Sequence, residues 1–246
     1  MNNRRFVEKI TKSASMYPDI IFSKKGMIYT CINPFSYHLV RRFPDLFNQM
    51  DGLYVDGILM CIAINLMWGK RIPRLSFDMS GMAPDLFERL NNNMESIFFI
   101  GSKQEEIEAT ISQIKKAYPR MKIFGFRNGY FKSKEEKELV IDNIVKGNPD
   151  FVIVGMGSPL QEQFCVDLKN YGYKGIAFTC GGFFHQTTTR LNYYPDWVNR
   201  YNLRACYRLF HEKGLWGRLY NVLIQFPILF IADTVFTKIK FSSANT

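Results

Sequence analysis

Six short turns hold most of the residues able to do chemistry. They are Asn33-Pro34, Asp56-Gly57, Gly101-Ser102, Gly129-Tyr130, Gly155-Met156-Gly157-Ser158-Pro159 and Gly181-Gly182. Asp56 is a carboxylate beside a glycine, which leaves room for a hydroxyl to approach a general base; Asp-Gly is equally a common turn former. Gly155-x-Gly157, ahead of a helix start, offers free N–H groups and a positive dipole end to a phosphate, or is simply a tight turn. His185-Gln186 follows Gly181-Gly182 and brings an imidazole suited to a sugar or phosphate contact; beside Phe183-Phe184 it reads equally as a packed residue. Neither G-x-G-x-x-G nor G-x-x-x-x-G-K-[ST] occurs, and no D-x-D. The five cysteines, at 31, 61, 165, 180 and 206, form no close pair, which excludes a compact Cys-based zinc site and a disulfide framework.

Each turn must be held by regular elements, and the hydrophobic pattern supplies them. Ser96–Gly101, Met121–Phe126, Asp150–Val154 and Gly175–Thr179 are short apolar runs ending near glycine, as buried strands do. Between them, Lys103–Tyr118, Lys134–Lys146 and a segment from Pro159 to about Asn170 carry helical spacing, with Pro119 as a stop signal. Upstream, Met27–Ile32 and Leu53–Val55 are candidate strands, and Ile58–Trp68 and Met79–Leu90 candidate helices. This alternation predicts an α/β fold, a Rossmann-like parallel sheet with helices on both faces. In such sheets ligands bind outside the carboxyl ends of the strands, where the six turns fall.

The formal charge is +10, and the basic excess gathers near the end. Residues 190–246 hold eight Lys/Arg, among them Arg200, Arg204, Arg208 and Arg218, against Asp196, Glu212 and Asp233. The run Leu219–Phe236 is shorter than a membrane span and is interrupted by Asn221, Gln225, Pro227 and Asp233. It reads either as an interfacial segment whose basic neighbours meet anionic headgroups or as a core helix with a solvated basic face. The expected division is residues 1–194 as the catalytic-type domain and 195–246 as a helical, basic, membrane-docking appendage. Nucleic acid is not an expected partner, because zinc-finger spacing, an RNA-recognition signature and basic-region heptads are missing. The N-terminal MNNRRFVEKI has no apolar run after its charges, so a secretory signal is not expected and a cytosolic site is.

Several turn sequences together resemble the WecG/TagA/CpsF glycosyltransferases, glycosyltransferase family 26. V-G-M-G-S-P-L-Q-E-Q-F (Val154–Phe164) is similar to the family's V-G-x-G-x-P-x-Q-E-x-W signature. F-R-N-G-Y-F (Phe126–Phe131) resembles its G-Y-F turn, V-D-G-I (Val55–Ile58) its P-D-G-x-G turn, and C-I-N (Cys31–Asn33) its T-x-N turn. Tyr193–Leu209 resembles the R-A-P-x-W…L-E-W-x-Y-R-L stretch. The chain departs from the family at Cys31, Leu59, Arg74–Asp78, Leu203–Ala205 and Cys180–Thr187, where the aspartate that the resemblance would place on the donor is missing and Phe184 and His185 lie nearest its place.

The resemblance implies a metal-independent, inverting transfer from a UDP-sugar to a polyprenyl-diphosphate-linked saccharide in bacterial capsule, exopolysaccharide or teichoic acid synthesis. It implies no cofactor beyond the donor and peripheral association with the inner face of the cell membrane; a homo-oligomer is compatible with it. Asp56 becomes the catalytic base. Asn33, Gly57, Arg74, Gly101, Tyr130, Gly155, Gly157, Pro159, Gln161, Glu162, His185 and Gln186 become donor-binding, and Arg200, Arg204, Arg208 and Arg218 serve the acceptor and membrane. Arg208 and Arg218 are alternatively clamps on the leaving diphosphate. The rival readings are a nucleotide-binding membrane scaffold, and a dinucleotide-dependent oxidoreductase, which would need the missing fingerprint.

Overall fold

A computed structural model describes residues 3–201, 203–211 and 216–242. In chain order the elements are α1 (Asn3–Ala14), β1 (Ile28–Ile32), α2 (Tyr37–Arg42), α3 (Pro44–Gln49), β2 (Gly52–Val55), α4 (Ile58–Trp68) and α5 (Met82–Asn93). β3 (Ser96–Gly101), α6 (Gln104–Ala117), β4 (Lys122–Arg127), α7 (Lys134–Gly147), β5 (Phe151–Gly155), α8 (Leu160–Asn170) and β6 (Ile176–Thr179) follow. Short helices α9 (Phe183–Gln186), α10 (Asp196–Arg200), α11 (Arg204–His211) and α12 (Trp216–Tyr220) lead through a π-helical turn, Asn221–Gln225, into α13 (Phe226–Ser242).

The six strands form one parallel sheet in the order β2-β1-β6-β5-β3-β4. Alternate strand residues feed two separate cores, as the period of two requires. Ile28, Ile32, Val55, Val152 and Val154 pack under α1, α2, α4, α7, α8 and α13. Tyr29, Tyr54, Phe99, Ile153 and Phe178 pack under α5, α6 and α9 on the other face. The predicted α/β fold with covered faces is what the chain adopts. Pro159 is not the first helical residue as expected but the N-cap of α8, after a cis Ser158–Pro159 bond.

Glycines let the strand ends crowd together. A Cβ on Gly101, whose φ is +148°, would stand 2.2 Å from the Gly155 carbonyl oxygen, and one on Gly155 would stand 2.7 Å from the Phe184 ring. Only glycine fits the first position.

The C-terminal segment packs on the N-terminal one. Asn3 donates from its backbone to Thr237 Oγ1 (3.2 Å) and from its side chain to Thr234 Oγ1 (3.1 Å). Asp233, which interrupts the apolar run in sequence, turns inward to Tyr37 Oη and Arg41 Nε, each at 2.9 Å. Phe226 and Phe230 flank the Tyr37 ring in the main core. This seam crosses the boundary expected at residue 195. The helical stretch Asn221–Lys240, the π-turn with most of α13, has the length and composition of a membrane-crossing helix, yet its polar residues Asp233, Thr234 and Thr237 face the domain and its apolar residues Ile228, Ile231, Val235 and Phe236 face out.

Candidate active site

The carboxyl edge of the sheet brings the six turns to one side, with Asp56 at the end of β2. Its backbone N–H donates to Ile32 O at 2.7 Å. Gly57, with φ +140°, lets this turn lie against Pro34, where a Cβ would come within 2.8 Å of the ring. The Leu75 N–H donates to Val55 O at 2.8 Å, laying the following segment along the end of β2. Arg74 and Asp78 thereby enter the surroundings of Asp56. Burial raises the Asp56 carboxyl above the usual carboxylate value, Asp78 adds to the rise, and Arg74, Arg204 and Arg208 oppose it. The carboxylate has no hydrogen-bond partner among the described residues, so it is placed to take a proton rather than to hold a turn.

The C-terminal arginines divide. Arg204 is not on a lipid-facing surface as the sequence suggested: it is 8% exposed. Its guanidinium pairs with Asp78 (2.8 Å), donates to Asn199 Oδ1 (2.7 Å) and lies over the Tyr194 ring. Burial pulls its pKa down although Asp78 opposes this. Arg208 acts electrostatically on Asp56 and Tyr194, so α11 forms a wall of the site. Arg200 is exposed at the end of α10. The side chain of Arg218 lies outside the described residues.

Next to β1, the α8 start carries a buried polar cluster. Glu162 Oε1 accepts from Thr30 Oγ1 (2.7 Å) and Gln161 Nε2 (3.0 Å), and Thr30 also meets Thr179 (2.7 Å). Glu162 Oε2, Gln161 Oε1 and Ser158 Oγ are buried without a partner among the described residues. Glu162 therefore works mainly as an internal tether of Gln161, and the open atoms are the ones a ligand at this edge would satisfy. Gly157, with φ +75°, has open space where a Cβ would stand.

The remaining predicted residues fall as follows. Tyr130 is 66% exposed after the edge strand β4. Its turn folds back inward, because the Gly129 N–H donates to Ser102 O (3.0 Å) and Phe131 stacks on Phe164 of α8. Asn33 spends its side-chain oxygen on the Ser36 N–H at 2.9 Å, so orienting a donor falls to its Nδ2 alone. His185 Nδ1 meets Glu106 Oε1 at 2.8 Å, while Glu106 Oε2 is held by Ser102 Oγ and the Lys103 N–H. These hydrogen bonds keep the Glu106 carboxyl low although burial pushes it up. Gln186 lines a small pocket with Asp78, Tyr193 and Tyr194.

Sequence reasoning missed Asp78, Glu106 and the Thr30–Thr179 pair. Asp78 lies four residues past Arg74, and Glu106 is the third residue of α6 with its carboxylate turned back to the helix start, a capping-box position. Among the described residues no three His, Cys, Asp or Glu side chains converge as a metal-ligand set.

A parallel sheet with a carboxylate at one strand end, arginines acting on it and glycine-lined turns beside it suits a group-transfer enzyme. Residues 10–240 match the glycosyl transferase WecG/TagA/CpsF family, and the chain belongs to it. It is a glycosyltransferase. The chain is 38% identical over 208 residues, 85% of its length and 87% of the relative's, to a UDP-Gal:alpha-D-GlcNAc-diphosphoundecaprenol beta-1,4-galactosyltransferase of Shigella boydii. It is 29% identical, over 82% of its length and 78% of the relative's, to an N-acetylglucosaminyldiphosphoundecaprenol N-acetyl-beta-D-mannosaminyltransferase of Bacillus subtilis (strain 168). A Bacillus spizizenii protein of that same name is 26% identical, over 74% of this chain and 68% of its own.

Proposed function

We propose that this enzyme transfers a sugar from a UDP-sugar to N-acetylglucosaminyl-diphospho-polyprenol during bacterial cell-surface polysaccharide synthesis. The acceptor is common to the names of all three relatives, whereas their donors differ, and the most similar of the three uses UDP-galactose. Asp56 takes the proton of the acceptor hydroxyl as the oxygen attacks the anomeric carbon. The bond to the UDP oxygen breaks from the opposite face, so the configuration inverts; the relatives' names give β products, which α-linked nucleotide sugars yield by inversion.

Charge on the departing diphosphate is met by Arg74 and Arg208, and by N–H groups of the Gly155–Pro159 turn. In this reading the side chains carry the role that a divalent ion has elsewhere. Gln161 and Tyr130 hold the nucleotide. The chain works peripherally at the inner membrane face, where its acceptor is anchored. The observation that carries the proposal is the Asp56 carboxylate at the end of β2, where Arg74, Arg204 and Arg208 favour its charged form.

Incubation with a panel of UDP-sugars and a synthetic GlcNAc-diphospho-lipid tests it. UDP release with UDP-galactose, forming a β-linked disaccharide and persisting in chelator, is the expected result. Release that stops in chelator ends the metal-independent reading, and no transfer from any UDP-sugar ends the donor assignment.

A further inference from the structure

α4 is apolar around its whole circumference, a composition found in buried or membrane-embedded helices. Met60, Cys61 and Ile64 fill the core, and Asn65 accepts from the Ile72 N–H through its side chain. The opposite stripe is uncovered: Ile58 is 40%, Ile62 45% and Leu66 80% exposed, at successive i,i+4 positions. α4 touches α13, whose own outward residues are also apolar.

The charges around this face have one sign. Residues 57–77 contain Lys70, Arg71 and Arg74 and no carboxylate. Lys238 of α13 donates to Met67 O at 2.8 Å and lies over the Trp68 ring, and Lys240 is exposed beside it. The acid of α13, Asp233, is turned inward to Arg41. Apolar residues rimmed by an aromatic and cations suit an anionic bilayer, and a second copy would bring like charges together.

We propose that α4 inserts its Ile58–Ile62–Leu66 stripe into an anionic lipid surface alongside α13, setting Asp56 at the height of the acceptor's diphosphate. With 11 residues α4 is too short to span, so it lies in the interface. Its first residue stands two positions from Asp56, so the depth of α4 fixes the position of the base. This deepens the peripheral-membrane reading above and rests on it.

The test uses the full chain and vesicles of phosphatidylcholine with or without phosphatidylglycerol. Ile62→Glu with Leu66→Glu should lower vesicle partitioning by about tenfold or more. Turnover on the membrane-embedded acceptor should fall in parallel, while turnover on a short-chain, water-soluble acceptor stays within about twofold. As a milder check, Leu66→Cys in a Cys206→Ser background carries an environment-sensitive fluorophore, whose emission should shift to the blue on phosphatidylglycerol vesicles. Unchanged partitioning of the double variant, or no spectral shift, overturns the proposal while wild-type binding keeps the peripheral reading intact. A wild-type dimer that the double variant dissociates, with vesicle binding unchanged, assigns the face to a second copy and also overturns it. Failure of the wild-type chain to bind either vesicle brings down the peripheral reading itself.

Discussion

Arg204 and Asp78 meet at 2.8 Å and lock α11 onto the loop that flanks Asp56. The pair is nearly buried, with side-chain exposures of 10% and 15%. It makes the C-terminal segment a wall of the active site rather than a separable anchor. Removing one partner of such a pair strands the other charge. Arg204→Met should therefore lower stability by roughly 3 kcal/mol in a denaturant melt. Turnover should fall even on a water-soluble acceptor, because Asp56 loses a cation that favours its ionised form. Combining Arg204→Met with Asp78→Leu should recover much of the stability. A single variant with a wild-type melt would show that the pair does not hold the segment.

Asp56→Asn keeps size and removes basicity, so turnover should drop by roughly 10²–10⁴ with UDP binding nearly unchanged. The raised pKa also fixes the pH behaviour. The acid limb of the rate profile should lie above the ordinary carboxylate value of 3.8, and Arg74→Ala should move it higher still, since Arg74 favours the charged form. The sign for stability is opposite. A raised folded pKa means that protonated Asp56 favours folding; that contribution is complete below 3.8 and is lost as pH rises through the folded value. Asp56→Asn should therefore melt higher than wild type at neutral pH, and the gap should close in acid. An unshifted acid limb in Arg74→Ala would separate the two residues.

The sheet was legible because its strands are short apolar runs with glycine at their ends, and turns such as Gly155–Pro159 carry local signatures. What stayed hidden depends on contacts distant in sequence. Nothing near Asp233 announces that Tyr37 and Arg41 will receive it, so within an apolar run it reads as an interruption. The sign of Arg204's role was equally invisible, because a basic side chain on an amphipathic helix suits a lipid headgroup as well as a buried aspartate. Asn33 illustrates the reverse: its place at a strand end was right, but half its side chain is used by the following turn.

His185 Nδ1 meets Glu106 Oε1 at 2.8 Å, which leaves Nε2 open to a donor. His185→Ala should raise the KM for the UDP-sugar by about three- to tenfold, the worth of one hydrogen bond at a half-exposed site. The KM for the acceptor should stay unchanged. Glu106→Gln, which retains an acceptor oxygen, should give a smaller change in the same direction. Titration of both variants against donor and acceptor separately checks this, and an equal rise in both KM values would remove His185 from the donor side.

The polar seam under α13 separates a helix lying on the bilayer from one crossing it. Asp233 receives Tyr37 and Arg41, and its burial with Tyr37 drives the tyrosine hydroxyl to a raised pKa. If the helix crossed the bilayer away from the domain, Asp233 would be a cost in hydrocarbon and its removal would leave the domain's melt untouched. In the packed arrangement Asp233→Leu removes the partner of the part-exposed Arg41 guanidinium, while the Tyr37 hydroxyl keeps Asn3 Oδ1, and should cost about 1 kcal/mol. It should also loosen α13 and make the helix apolar on every side, so that alkaline carbonate extracts less of the variant from membranes than of the wild-type chain. Wild-type protein that resists carbonate, together with an unaltered melt for Asp233→Leu, would assign α13 to a span. Full extraction of wild type with a destabilised variant places the helix on the surface, tied down by Asp233.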